Sequence, residues 1–306
     1  MRVQEKIFLF AIFIALLLIY PSWTEWFNSD KRNSSTQINQ LRQKNQECPK
    51  LKSIELVATD NKGMASEPGI NYVIIFDPKS KELDFKVNLG LEHPLYAKDA
   101  QGKLNKKYKP KLFNELISDQ NSLLNGKRPI AAINGDHIDL KNQPEGLNIS
   151  RGIEYSGAFK DKRSSFGISG GKPEERKATI QIGKRKEAIL NYNVVGGNGR
   201  FYTQGKFKNI CPDLGDYICS QTSRSLAAIT DKGYVIFLVN NADLKKALYP
   251  SMFDDALEGI ANNYCLGKIQ EGILFDGGFS TGLYFDNKIY VENTHPIGSV
   301  LLIYKK

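Results

Sequence analysis

The sequence predicts an α+β fold: a single domain of mostly antiparallel, twisted sheets with a few packed helices. Three observations carry that expectation. Short runs rich in Val, Ile, Leu and aromatic residues recur along most of the chain, as strands do. Turn residues such as Asp231-Lys232-Gly233 and Asp286-Asn287 separate several of these runs and suggest hairpins. Finally, two stretches repeat apolar residues at helical spacing, too few for a doubly wound parallel sheet.

The first element is an apolar segment. Ile7 to Tyr20 is an uncharged run of 14 residues, preceded by Arg2 and Lys6 and followed by Trp23, Trp26 and Phe27. A spanning helix needs about 20 residues, and the aromatic stretch to Phe27 extends the run to the interface. A cleavable signal peptide is the alternative. Cleavage favours small residues, yet no alanine or glycine occurs between Leu16 and Val57, which favours an uncleaved anchor. Residues 1–27 therefore read as a membrane anchor or signal segment that exports the rest, to the periplasm or the extracellular side. Residues 28–50 are polar and form a linker that buries too little apolar surface to order itself. Residues 51–306 contain no further linker or repeat and read as one domain.

Within that domain strands are predicted at Tyr72–Asp77, Leu83–Val87, Ile130–Ile133, Ala178–Ile182 and Ser225–Thr230. Further strands follow at Tyr234–Asn240, Gly272–Phe275, Leu283–Phe285, Lys288–Val291 and Val300–Tyr304. Helices are predicted over Leu112–Leu124 and Phe253–Leu266, the second with Ser251 as N-cap and Gly267 as its stop.

Composition narrows the function. A chain that is 41% hydrophobic and 25% charged is neither disordered nor fibrous. The net charge of +9 has no aromatic-basic motif beside it, so nucleic acid is not expected as a partner. Four cysteines and three histidines leave little for a multi-zinc protein. Cys211 and Cys219 bracket a short loop and suggest a local disulfide; Cys48 and Cys265 could form a second, although four cysteines allow three pairings. No GxxxxGK[ST], GxSxG or HExxH motif occurs. No metal site is assigned, and the cluster Asp136, His137 and Asp139 is small for one. No cofactor is required, and a divalent cation is left open.

Four segments place polar groups directly after apolar strands. Asn134-Gly135-Asp136 ends the Ile130–Ile133 run, and Gln143 to Gly152 is a loop holding Glu145, Asn148 and Arg151. Arg224 heads the Ser225–Thr230 strand, where a guanidinium could fork onto a phosphate or carboxylate. The fourth, Asp276-Gly277-Gly278-Phe279-Ser280-Thr281-Gly282, couples a carboxylate to a double glycine whose amides can approach an anion.

In this order, with Val195-Gly196-Gly197 and the Tyr202-Thr203-Gln204-Gly205-Lys206 hairpin between them, these segments resemble the phosphodiester glycosidase family. The resemblance runs from about Lys52 to the C-terminus and is weakest before Ile130. It departs from the usual pattern where His137 and Ile138 replace an aromatic pair and where Phe279 replaces a glycine. It implies hydrolysis of a sugar-1-phosphodiester at the glycosidic C–O bond, with a carbohydrate phosphodiester as partner. It further implies Asp276 and Asp136 as paired catalytic carboxylates and Arg224 on the phosphate, assisted by the amides of Gly277 and Gly278. Asn134, Gly135, Ser280 and Thr281 complete the implied substrate-binding set. Two alternatives stay open: an anchored envelope protein that binds a glycan without turnover, and a phosphodiesterase that cuts P–O.

Overall fold

The computed structural model describes residues 48–306 apart from 157–159, 161, 184–185, 211–219, 241–242 and 293. The apolar N-terminal run, nearly all of the linker and the Cys211/Cys219 pair lie outside the described residues. Lys50–Lys306 forms one compact unit. No helix among the described residues is long and apolar enough to cross a membrane.

In chain order the strands are β1 (Ile54–Asp60), β2 (Ile70–Phe76), β3 (Leu83–Leu89), β4 (Ala131–Asn134), β5 (Ile149–Ser150), β6 (Ile153–Glu154), β7 (Ser164–Ile168) and β8 (Ala178–Ile182). They continue with β9 (Asn193–Gly196), β10 (Arg200–Thr203), β11 (Lys206–Phe207), β12 (Ser225–Thr230), β13 (Val235–Asn240), β14 (Ile269–Leu274), β15 (Leu283–Phe285), β16 (Lys288–Val291) and β17 (Ser299–Lys305). Among the described residues the α-helices are α1 (Phe113–Ser118) and α2 (Phe253–Asn263). Three sheets result, with orders β1-β2-β13-β12-β14-β10-β11, β16-β15-β4-β17-β3 and β6-β5-β9-β7-β8. The strand pairings are antiparallel throughout. The predicted α+β fold is therefore the observed one.

Strand alternation explains the layering. In β2, Ile74 and Phe76 enter a core shared by all three sheets, while Val73 and Ile75 face the opposite way. That opposite face is covered by α2 through Phe253, Leu257 and Ile260. In β17, Leu301 and Ile303 enter the shared core, while Val300, Leu302 and Tyr304 pack with Phe113, Leu116 and Ile117 of α1. Strands covered on both faces can be apolar at every position, which is why they were the visible ones in the sequence.

All ten predicted strands are present. Both helices differ from the prediction at their ends. The first is shorter: Asp119 leaves the helical conformation and its side chain accepts from Asn121 N–H, starting a 3₁₀ turn at Gln120–Ser122. The second begins after Met252, because Ser251 belongs to a preceding 3₁₀ turn, Pro250–Met252. Its stop is Cys265, not Gly267: Cys265 has φ +54°, and Leu266 N–H donates to Ala261 O while Cys265 N–H donates to Asn262 O. That pair of bonds is a Schellman motif. Cys48 and Cys265 are both disulfide-bonded.

Candidate active site

Antiparallel pairing of β12 with β14 sets Leu226 opposite Leu274. The residues before β12 and those after β14 therefore lie at the same end of the sheet. Phe275 N–H donates to Ser225 O at 2.9 Å and Gly278 N–H to Ser223 O at 2.8 Å, so Arg224 and Asp276 sit on adjoining segments. The end of β4, in the second sheet, reaches the same rim, where Asp276 N–H donates to Gly135 O at 2.9 Å. Three segments far apart in the chain thus meet at one place. A cavity of about 530 Å³ lies elsewhere, against α1, and none of these residues lines it.

Asn134 fastens the two sheets together. Fully buried, it donates from Nδ2 to Asp276 O at 2.8 Å. Its Oδ1 accepts from the Ser225 hydroxyl at 2.5 Å and from Gly282 N–H at 3.0 Å. Both heteroatoms of this side chain are therefore engaged by protein groups. Gly135 is fixed by contact, since a Cβ there would stand 2.9 Å from the Val195 side chain.

Asp136 is also fully buried. Its Oδ2 accepts from Gly146 N–H and from Asn148 Nδ2, each at 2.6 Å. Its Oδ1 is buried with no hydrogen-bond partner among the described residues. Glycine is required on both flanks: a Cβ at Gly196 would lie 2.5 Å from the carboxyl carbon, and one at Gly146 would lie 3.1 Å from each oxygen. Burial pushes the Asp136 carboxyl above its ordinary value, opposed by the charge of Arg163 and the bonds from Gly146 and Asn148. Arg163 is itself ion-paired to Glu145, which also holds Lys160 at 2.6 Å.

Asp276 keeps a partly open carboxylate, its side chain 12% exposed. Oδ1 accepts from Gly277 N–H and from His137 Nδ1, both at 2.9 Å. The His137 contact could not be assigned from chain order. Its signal, a histidine two residues after the Asn134-Gly135 turn, was visible but pointed at no partner.

Arg224 is 4% exposed, and its backbone N–H donates to Asn240 Oδ1 at 2.5 Å. Its Nη2 donates to Ser220 O at 3.2 Å. A Cβ on Gly277 would stand 3.1 Å from Nη1, so the absent side chain lets the double-glycine turn lie against the guanidinium. Gly278 has φ +62°, the left-handed region that favours glycine, and opens a 3₁₀ turn through Ser280. Ser280 and Thr281 are buried behind that turn, and the Thr281 hydroxyl has no partner among the described residues. Phe279 projects from it, 72% exposed, stacked on His295 with ring centroids 5.1 Å apart. Among the described residues no group of three or more His, Cys, Asp or Glu is placed to hold a metal ion.

The family model for phosphodiester glycosidases matches residues 127–304, more than half of the chain and all of this rim. The chain belongs to the phosphodiester glycosidase family. As such it is a hydrolase of that type. Among solved structures, it is similar to the zebrafish N-acetylglucosamine-1-phosphodiester alpha-N-acetylglucosaminidase catalytic domain auto-inhibited by its pro-peptide. The TM-score is 0.60 at 12% identity, over 84% of this chain and 85% of that one. A hypothetical protein from Synechocystis gives a TM-score of 0.56 at 12% identity, over 85% of this chain and 64% of that one. At such identity these likenesses bear on fold. No curated protein matches the sequence.

Proposed function

We propose that the protein hydrolyses a sugar-1-phosphodiester at its glycosidic C–O bond. The observation that carries the reading is that a guanidinium and a partly open carboxylate flank one double-glycine turn: Arg224 against Gly277, and Asp276 through Gly277 N–H. A phosphodiester needs a cation, and Arg224 supplies a fork for its oxygens beside the Gly277–Gly278 backbone. The anomeric carbon gains positive charge as the bond breaks, and a carboxylate nearby stabilises it or activates water. Asp276 takes that role. Asp136, expected as the second catalytic carboxylate, is fully buried between Gly146 and Gly196, and its Oδ2 holds the Gly146–Asn148 loop instead. A phosphate leaving group is a weak base and departs with little protonation.

The family match and the zebrafish enzyme's name make an N-acetylglucosamine-1-phosphodiester the first substrate to test. The assay is release of N-acetylglucosamine from its 1-phosphate methyl diester. Wild type releases sugar, and Asp276→Asn and Arg224→Ala release little; full rates in both variants would overturn the site. We further propose that the body acts outside the cytoplasm, on an envelope or extracellular glycan, anchored by residues 1–27 or secreted if that segment is cleaved. The apolar run and the disulfide-bonded Cys48 and Cys265 support this. Protease added to spheroplasts, whose outer barrier has been removed, should then digest the body while cytoplasmic proteins survive.

A second reading, glycan binding without turnover, draws on the exposed Phe279 ring, a surface on which a sugar can stack. Saturable binding with no product would favour it.

A further inference from the structure

We infer that His137 is a positioning residue of this site: its Nδ1–H holds Asp276 by Oδ1, so that Oδ2 is the oxygen presented to the substrate. Both donors to the Asp276 side chain, Gly277 N–H and His137 Nδ1–H, fall on Oδ1 at 2.9 Å. Oδ2 accepts no hydrogen bond among the described residues, and unlike Asp136 Oδ1 it is not a buried orphan. Two donors on one oxygen fix the carboxylate plane and leave the other oxygen its full acceptor capacity.

The same contacts settle which tautomer the ring adopts. A carboxylate can accept and not donate, so the proton of the 2.9 Å contact resides on Nδ1. Nε2 is buried with no partner among the described residues. The proton that meets Asp276 is therefore the one on Nδ1. His137 is also thereby removed as the group that hands a proton to substrate: one nitrogen is occupied by Asp276 and the other is shut away. Its own segment is held in turn, since His137 O accepts from Glu145 N–H at 3.1 Å and Asp136 O from Gly298 N–H at 2.9 Å.

The test has two arms, and the kinetic one alone rests on the proposed hydrolysis. In the first, the full chain is labelled with ¹⁵N-histidine and its long-range nitrogen–proton spectrum recorded. The chain has three histidines, so the signal lost in His137→Asn identifies this ring. A proton on Nδ1 is expected; an Nε2–H tautomer with Nδ1 bare would overturn the inference. In the second arm, release of sugar from the N-acetylglucosamine-1-phosphate methyl diester is compared among wild type, His137→Asn and His137→Phe. Asparagine can place an amide N–H near the Nδ1 position, whereas phenylalanine fills the space without a donor. We expect His137→Phe to lose about 10- to 100-fold in kcat with KM unchanged, the scale of losing a hydrogen bond to a charged group. His137→Asn should retain kcat within about threefold. Equal losses in the two variants, or none in His137→Phe, would overturn the positioning role. Absence of turnover in wild type would instead refute the proposed hydrolysis and leave the tautomer arm to decide.

Discussion

Replacing Asn134 by alanine removes the fastening between two sheets, and the structure sets the size of the effect. Three buried hydrogen bonds disappear at once: to Asp276 O, from Ser225 Oγ and from Gly282 N–H. The Ser225 hydroxyl can rotate toward another acceptor, but the Asp276 carbonyl and the Gly282 amide are fixed by the backbone. A buried polar group left unpaired costs about 1–3 kcal/mol, so two of them predict a loss of about 2–6 kcal/mol. Equilibrium urea unfolding measures this as a lower midpoint with an unchanged slope. The activity should fall as well, because the Asp276 carbonyl that Asn134 holds belongs to the residue whose carboxylate faces the rim. A loss below about 1 kcal/mol would refute the reasoning, since it would mean that the two backbone groups find partners without this side chain.

Gly196→Ala drives a methyl to within 2.5 Å of the Asp136 carboxyl carbon, and overpacking of that kind should destabilise by about 1–3 kcal/mol in the same urea assay. Gly259→Ala should do the reverse. It lies exposed inside α2 with nothing within 4 Å of the added Cβ, so a gain of about 0.5–1 kcal/mol is expected. Asp136→Asn should flatten the dependence of stability on pH. With the folded carboxyl raised above its ordinary value of 3.8, the native state keeps a proton that the unfolded chain has already released. Stability therefore falls as pH rises from about that ordinary value through the folded one, and is unaffected below it. Thermal melts across this window, for wild type and variant, show whether the difference is present.

Much of the fold was legible because its strands are covered on both faces. Runs such as Val235–Asn240 and Ser299–Lys305 are buried along almost their whole length and therefore dense in Val, Ile and Leu. Strand β7, Ser-Ser-Phe-Gly-Ile, is equally buried yet carries two serines and a glycine, so composition hid it. The end of α2 differs from the expectation for a local reason: Cys265, ahead of Gly267, takes the left-handed conformation that closes the helix. At the site, glycine and polar residues at the ends of apolar strands marked the three segments that meet. What the chain order could not convey is who bonds to whom. His137 meets Asp276, and Asn148 meets Asp136, across loops whose path depends on tertiary packing. Nor could it reveal that Asn134 has both heteroatoms engaged within the protein.

The central claim is cleavage at the anomeric carbon, and isotopic labelling tests it most directly. Hydrolysis of the N-acetylglucosamine-1-phosphate methyl diester in ¹⁸O water should place the label in the released sugar and leave methyl phosphate unlabelled. Label in the phosphate would mean attack at phosphorus and would contradict the account.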